Sequence, residues 1–271
     1  MSFITLGYAD VALAAILLIA NAVLSLALGL GLARPLLIAA VRMVVQLLLI
    51  GLVLKALFAL ASPLWTGVAV AVMMLVASRE IMARQQRRLR GAWGFGLGAA
   101  SMMSAGLIVT VLALTTAIRP DPWYDPRYAL PLLGMVLGNT MNGVSLALFT
   151  MFNAASRERT AIEARLALGE ERGEALAGPR QEALRAGLTP IINSMSVSGV
   201  VALPGMMTGQ ILAGVDPVEA VKYQLLIMFL IAGGTGFGVL AAVFGGLRRL
   251  TDERHRLRLD RLMGLKEKPR A

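Results

Sequence analysis

The sequence contains no cysteine, which removes disulfides, thiolate metal sites and cysteine nucleophiles together. It contains one histidine, His255, near the C-terminal end, so the long apolar blocks hold no imidazole for intramembrane hydrolysis. None of the four lysines follows a glycine. The chain therefore lacks a Gly-Lys-Ser/Thr phosphate loop and cannot hydrolyse ATP with that machinery. No pair of acidic residues falls within an apolar block, which argues against a proton-relay carrier. Charge of either sign is scarce. Charged residues make up 15% of the chain, where soluble domains hold about a quarter.

What is present is apolar and continuous. No Asp, Glu, Lys, Arg or His falls between Val11 and Ala33, Ala56 and Ser78, Gly91 and Ile118, Tyr128 and Ser156, Ala186 and Val215, or Tyr223 and Leu247. A helix needs roughly 20 such residues to cross a hydrocarbon core of about 30 Å. Pro35 to Leu54 joins these blocks but for Arg42. The pattern predicts an all-α polytopic membrane protein of about seven transmembrane helices, with residues 1–271 as a single membrane domain. The N-terminus shows no basic run and no small-residue cleavage site, so the first block is expected to be retained rather than cleaved as a signal peptide.

Basic residues set the expected orientation. Seven spans place 22 of the 26 Lys and Arg on one side, leaving only Lys55, Arg119, Arg127 and Lys222 opposite. The positive-inside rule then puts the N-terminus outside and the C-terminus in the cytoplasm of a bacterial inner membrane. Basic loops against anionic membrane lipid account for the net charge of +10, and nucleic-acid binding is not expected.

Polar residues inside the blocks mark a candidate path. Arg42 and Gln46 lie four apart on one helical face. Two readings stand for Arg42: snorkelling to the headgroups, or lining a path with Gln46. The fifth block carries Asn139 and Asn142. The sixth carries Asn193 and Ser194, then Met206, Met207, Thr208 and Gln210 after a Pro204-Gly205 pair. Such groups are costly in lipid, so they are expected to face protein or a cavity between spans five and six. Met141, Met206 and Met207 could contact a soft metal, though methionine also fills gaps in apolar helices. Whether any residue ligates a metal stays open. Gly236-Phe-Gly-Val-Leu-Ala241 fits a dinucleotide fingerprint by letters only, and helix packing accounts for it better inside an apolar span.

The stretch at about 153–189 is the longest polar interruption and reads as helical, with Gly178-Pro179 as its break. The basic tail at about 248–271 is expected to be helical at the membrane surface. Within the loop, Glu163-Ala-Arg-Leu-Ala-Leu-Gly169, followed by Leu188-Thr-Pro-Ile-Ile192, resembles the Glu-Ala-Ala-x-x-x-Gly coupling loop of ABC-transporter permeases. Arg165 departs from it where a small residue is usual.

Further strings are similar to the FetB-type permease family. They are Arg42-Met-Val-Val-Gln46, Met135-Val-Leu-Gly-Asn-Thr-Met-Asn-Gly-Val-Ser-Leu146, Ile192-Asn-Ser-Met195, Leu203-Pro-Gly-Met-Met-Thr-Gly-Gln-Ile-Leu212 and Ala220-Val-Lys-Tyr-Gln-Leu-Leu-Ile-Met228. The resemblance implies an iron-export permease, with plant relatives linked to aluminium tolerance. It implies a non-enzymatic subunit, paired as a homodimer, with a separate ABC-type ATP-binding subunit that holds ATP and Mg. No cofactor is expected on this chain. The same resemblance makes Glu163, Ala164, Arg165 and Gly169 the contact with the ATPase. An ATP-independent carrier or channel, or a non-transporting scaffold, remains the alternative.

Overall fold

Two Asp-Pro pairs start the two longest helices of the computed structural model, which describes residues 7–60, 62–85 and 87–263. Asp125 caps α5 (Pro126–Arg157) by accepting a hydrogen bond from the Arg127 amide. Asp216 caps α10 (Pro217–Leu250) by accepting from Val218 and Glu219. In both, proline occupies the first helical position, where its missing N–H costs nothing and its φ is already helical.

The remaining helices are α1 (Tyr8–Ala27), α2 (Ala33–Leu60), α3 (Pro63–Arg84), α4 (Ala92–Leu112), α6 (Arg159–Ala167), α7 (Arg172–Ala175), α8 (Ala177–Val197) and α9 (Gly205–Leu212). A π-helical turn, Ala113–Ile118, extends α4. Among the described residues, six helices are long and apolar enough to cross a membrane: α1, α2, α3, α4 with its extension, α5 and α10. The all-α polytopic architecture is thus as expected.

Helix α5 is the hub. It packs against α3, α4, α10 and α8; around it α8 meets α10, α10 meets α4, and α4 meets α3. No packing of comparable extent closes the ring between α3 and α8. Met102, Val144, Ala147, Met151, Val239 and Val243 fill the centre with no exposed surface. Helices α5 and α8 approach closely at Gly143 and Gly187. A Cβ built on Gly143 would lie 2.9 Å from the Gly187 carbonyl oxygen, so the two backbones meet directly. Gly238 in the fingerprint-like string is likewise a packing residue, since a Cβ there would meet the Thr140 methyl, whereas Gly236 faces open space.

The α1–α2 hairpin stands apart. Its helices pack on each other, and α2 meets the hub only lightly. An apolar helix needs no protein cover in lipid, because lipid tails solvate leucine as well as a protein core does.

Three expectations need correction. The sixth apolar block is not one continuous span. Helix α8 starts upstream of it, carries Pro190 within it, and ends at Val197; residues 198–204 are non-helical, and α9 follows. Gly199 takes φ +86 there and Pro204 offers no N–H, so the helix cannot run on. The loop at about 153–189 does not break at Gly178-Pro179. Those residues sit in the first turn of α8, where proline is tolerated, and the break falls at Gly169. The tail is not an α-helix over its described part. Thr251 to Met263 folds back instead, through a 3₁₀ turn at Leu259–Arg261, and pairs β2 (Leu262–Met263) antiparallel with β1 (Arg88–Leu89) between α3 and α4. Arg261 donates to the carbonyls of Arg249 and Thr251, and Arg90 N donates to Arg261 O at 2.8 Å. Residues 264–271 of the tail lie outside the described residues.

Candidate functional site

The gap between α3 and α8 leaves one strip of α5 uncovered, and the two asparagines predicted from the sequence lie on it. Asn139 and Asn142, three apart and so on one face, are both exposed. Asn139 returns one amide N–H to the Met135 carbonyl at 2.9 Å, which leaves its side-chain oxygen free to face the strip.

Asn142 is tied sideways. Its Oδ1 accepts from Arg84 Nη1 at 2.6 Å. Arg84 Nε lies 3.6 Å from Glu80, whose other carboxylate oxygen accepts from Arg42 Nη2 at 3.2 Å. The result is a chain, Arg42–Glu80–Arg84–Asn142, running from α2 across α3 to α5. Asn142 sits about 24 Å along a helix roughly 48 Å long, near its middle. Arg42 is therefore ion-paired with α3, not solely a snorkelling residue. Sequence reasoning missed Glu80 and Arg84, which end α3 inside a charged run and look like an ordinary solvated loop. The detectable signal was the isolated Arg42, since an arginine within an apolar helix calls for a carboxylate partner.

The other candidates are dispersed. Gln46 is exposed on α2, one turn beyond Arg42. On α8, Ser194 continues the packed stripe of Ala183, Gly187 and Ile191 but is exposed, while Asn193 lies off that stripe. Met206 is exposed, and Met207 and Thr208 are half-buried on α9. Thr208 donates to the Pro204 carbonyl, and the Gln210 side-chain oxygen is buried with no partner among the described residues. The chain thus brings Arg42 and Asn142 into one network, and leaves Asn139 beside it. Among the described residues, no side-chain hydrogen bond or ion pair joins Asn193, Ser194, Met206, Met207, Thr208 or Gln210 to that network. Thr140 on α5 and Thr235 on α10 are buried with hydroxyls unpartnered among the described residues, a feature no sequence pattern marks.

Among the described residues, no three His, Asp or Glu side chains lie close enough to hold a metal ion. Met141 is half-buried against the core, as a packing residue would be.

The coupling candidates form a separate, well-defined piece. Ile162 buries one face of α6, whereas Glu163, Ala164 and Arg165 are exposed. Glu163 accepts from Arg159 Nε at 2.8 Å, one turn back. Gly169 takes φ +95, its N–H donates to Leu166 O, and Glu170 N donates to Arg165 O. This pair of bonds is a Schellman closure, which requires a left-handed residue and so favours glycine. It leaves Leu168 85% exposed at the tip.

Comparison with known proteins agrees with this architecture. The model of the uncharacterised protein family UPF0014 matches residues 8–251. The chain is 42% identical over 206 residues to the UPF0014 membrane protein slr1647 of Synechocystis, covering 75% of this chain and 78% of that one. It is 34% identical over 212 residues to the rice UPF0014 membrane protein STAR2, covering 78% and 72%. It is 29% identical over 249 residues to the "Probable iron export permease protein FetB" of Escherichia coli, covering 92% and 93%. No solved structure matches the chain. A family model spanning nearly the whole bundle and a 42% identical relative together establish that the chain is a multi-pass membrane protein belonging to the UPF0014 family.

Proposed function

We propose that the chain is the membrane-spanning permease subunit of an ABC transporter exporting iron or another metal, with ATP and Mg held by a separate ATP-binding subunit. The observation that carries this reading is α6. It is a short capped helix with one buried and one exposed face, set in the chain between α5, which carries the open strip, and α8, which borders it. A push on the exposed Leu168 tip would be felt at the floor of that strip and at one of its walls. The name of the Escherichia coli relative supplies the iron and the direction. A second copy facing the strip would enclose it, so the working unit is a homodimer in the bacterial inner membrane. Substrate passes along Asn139, Asn142 and the Arg42–Glu80 pair, with Gln46, Asn193, Ser194, Met206, Met207, Thr208 and Gln210 on the flanking helices.

The fixed charges refine the substrate. Two guanidiniums face one carboxylate, so a bare cation meets net positive charge. A metal bound by anionic ligands suits such a strip better, and iron supplied as a citrate complex is expected to stimulate ATP turnover more than the aquo ion.

Orientation follows the arginines. A reporter fused after Ala271 is expected to score as cytoplasmic, and one inserted near Asp121 as external. An external C-terminus would remove the seven-crossing arrangement, in which α8 with α9 supplies the interrupted crossing.

The decisive experiment reconstitutes the chain with its ATPase in proteoliposomes. Glu163→Lys and Leu168→Asp change only exposed positions on α6 and at its cap, and losing the Arg159 pair costs Glu163→Lys about 0.5 kcal/mol. Both are expected to lower transport and substrate-stimulated ATP turnover together, about tenfold, with melting nearly unchanged. Leu168→Asp is a cleaner probe than Gly169→Val, because valine at φ +95 would strain the backbone itself. Normal stimulation in both variants would end the coupling assignment. Transport without nucleotide would favour a carrier.

A further inference from the structure

Where the end of α10, the α6–α7 loop and the folded tail meet, they enclose an open cleft of about 560 Å³. Five arginines line it: Arg172 from the start of α7, Arg248 from α10, and Arg254, Arg256 and Arg261 from the tail. Among the described residues, two carboxylates, Asp252 and Glu253, share the lining, so three positive charges remain uncompensated by it.

The carboxylate nearest these arginines is already engaged. Asp252 accepts from the backbone N–H groups of Arg254 and Arg256 and from the Arg256 guanidinium at 2.9 Å. Those bonds, led by the Arg256 amide, hold its carboxyl at about 2, so it is ionised and committed to the turn. Arg261 is committed as well, to two backbone carbonyls. The side chains of Arg172, Arg248 and Arg254 have neither an ion pair nor a hydrogen bond among the described residues. Three free guanidiniums from three chain segments thus border one hollow. Like charges held together repel, and an anion that bridges them removes that cost while accepting paired N–H bonds.

The tail is also tethered to the loop directly. Arg172 N donates to His255 Nδ1 at 3.3 Å, beside the cleft. Filling the hollow would therefore strengthen an existing contact.

We propose that this cleft is a binding site for a phosphate group, bridged by Arg172, Arg248 and Arg254, which clamps the tail onto the α6–α7 loop. The site stands apart from the polar strip on α5 and does not depend on the transport reading. Phosphate fits because its oxygens take the forked guanidinium donors in pairs, and the cleft has room for a phosphate with its substituent. The phosphate can belong to an anionic lipid headgroup or to a soluble ion, which share this chemistry.

The test uses the full chain in a neutral detergent and follows its melting temperature. One arm adds inorganic phosphate, a second adds phosphatidylglycerol, a third adds phosphatidylcholine, and a fourth adds sodium chloride at matched ionic strength. A rise of several degrees is expected in the first or second arm, as for any ligand that binds only the folded state. A rise with phosphatidylglycerol alone identifies the headgroup as the source, and a rise with inorganic phosphate identifies the soluble ion. Arg254→Gln, on an exposed turn, and Arg172→Gln are each expected to weaken apparent affinity about tenfold while melting like the parent without ligand. Arg254→Lys, which keeps the charge but loses the fork, should lose part of the effect. An equal rise with sodium chloride, a rise undiminished in both glutamine variants, or no rise in the first two arms would overturn the proposal.

Discussion

Replacing Gly187 with leucine is expected to prevent the bundle from assembling. A Cβ at this position would lie 2.8 Å from the Ala147 Cβ and 2.9 Å from the Gly143 carbonyl oxygen. Neither neighbour is the far end of a flexible side chain, so relief requires α8 to move off α5. Ordinary overpacking costs about 1–3 kcal/mol. Separating two helices along a shared face costs more, and about 3 kcal/mol or above is expected, a large part of the roughly 5–15 kcal/mol that holds a domain together. Size-exclusion profiles and melting curves in detergent would report the loss. Gly236→Ala is the control, since nothing lies within 4 Å of a Cβ there and alanine favours a helix by about 1 kcal/mol. If Gly187→Leu melts as the parent does, the close α5–α8 crossing is wrong.

Removing the carboxylate of Glu80 is expected to disconnect α2. Glu80→Ala leaves Arg42 and Arg84 without their shared partner, and Arg42 lies about 14 Å into its helix. An arginine at the centre of a membrane helix costs about 2.5–3.5 kcal/mol on insertion scales, and the loss of its pair exposes much of that cost. Little else holds α2 to the hub, so the hairpin should swing and transport should fall by at least tenfold. The chain has no cysteine, so single cysteines on α2 and α3 can carry spin labels without background. A longer, broader distance distribution in the variant is expected, with partial recovery in Glu80→Asp. Unchanged distances and unchanged transport would show that the pair is incidental.

Much of this molecule was readable from one dimension. Uninterrupted apolar runs are a local property, and a bilayer demands nothing more of a helix than length, apolarity and satisfied backbone. Hence α1 to α5 and α10 were anticipated. The Gly169 closure was overlooked as the break, although a glycine after a short helical pattern marks a left-handed end. Less legible was the sixth block. Its composition reads as a span, but Gly199 and Pro204 stop the helix between α8 and α9. Conversely, Pro179 looked like a break and proved to be a first-turn residue.

By itself, then, the sequence determined a membrane-embedded all-α chain, its lack of a Gly-Lys-Ser/Thr phosphate loop and the basic character of its polar interruptions. Tertiary structure alone decided which side of α5 stays open, that Arg42 meets Glu80, that Gly143 meets Gly187, and that the tail folds back onto β1 and Arg172. The division has a physical cause. Lipid rewards apolarity wherever it occurs along the chain, so hydropathy counts spans without arranging them. Arrangement depends on contacts between residues far apart in the chain, such as Arg42 with Glu80, 38 positions on, and Arg172 with His255, 83 positions on, whose geometry exists only once the helices have packed.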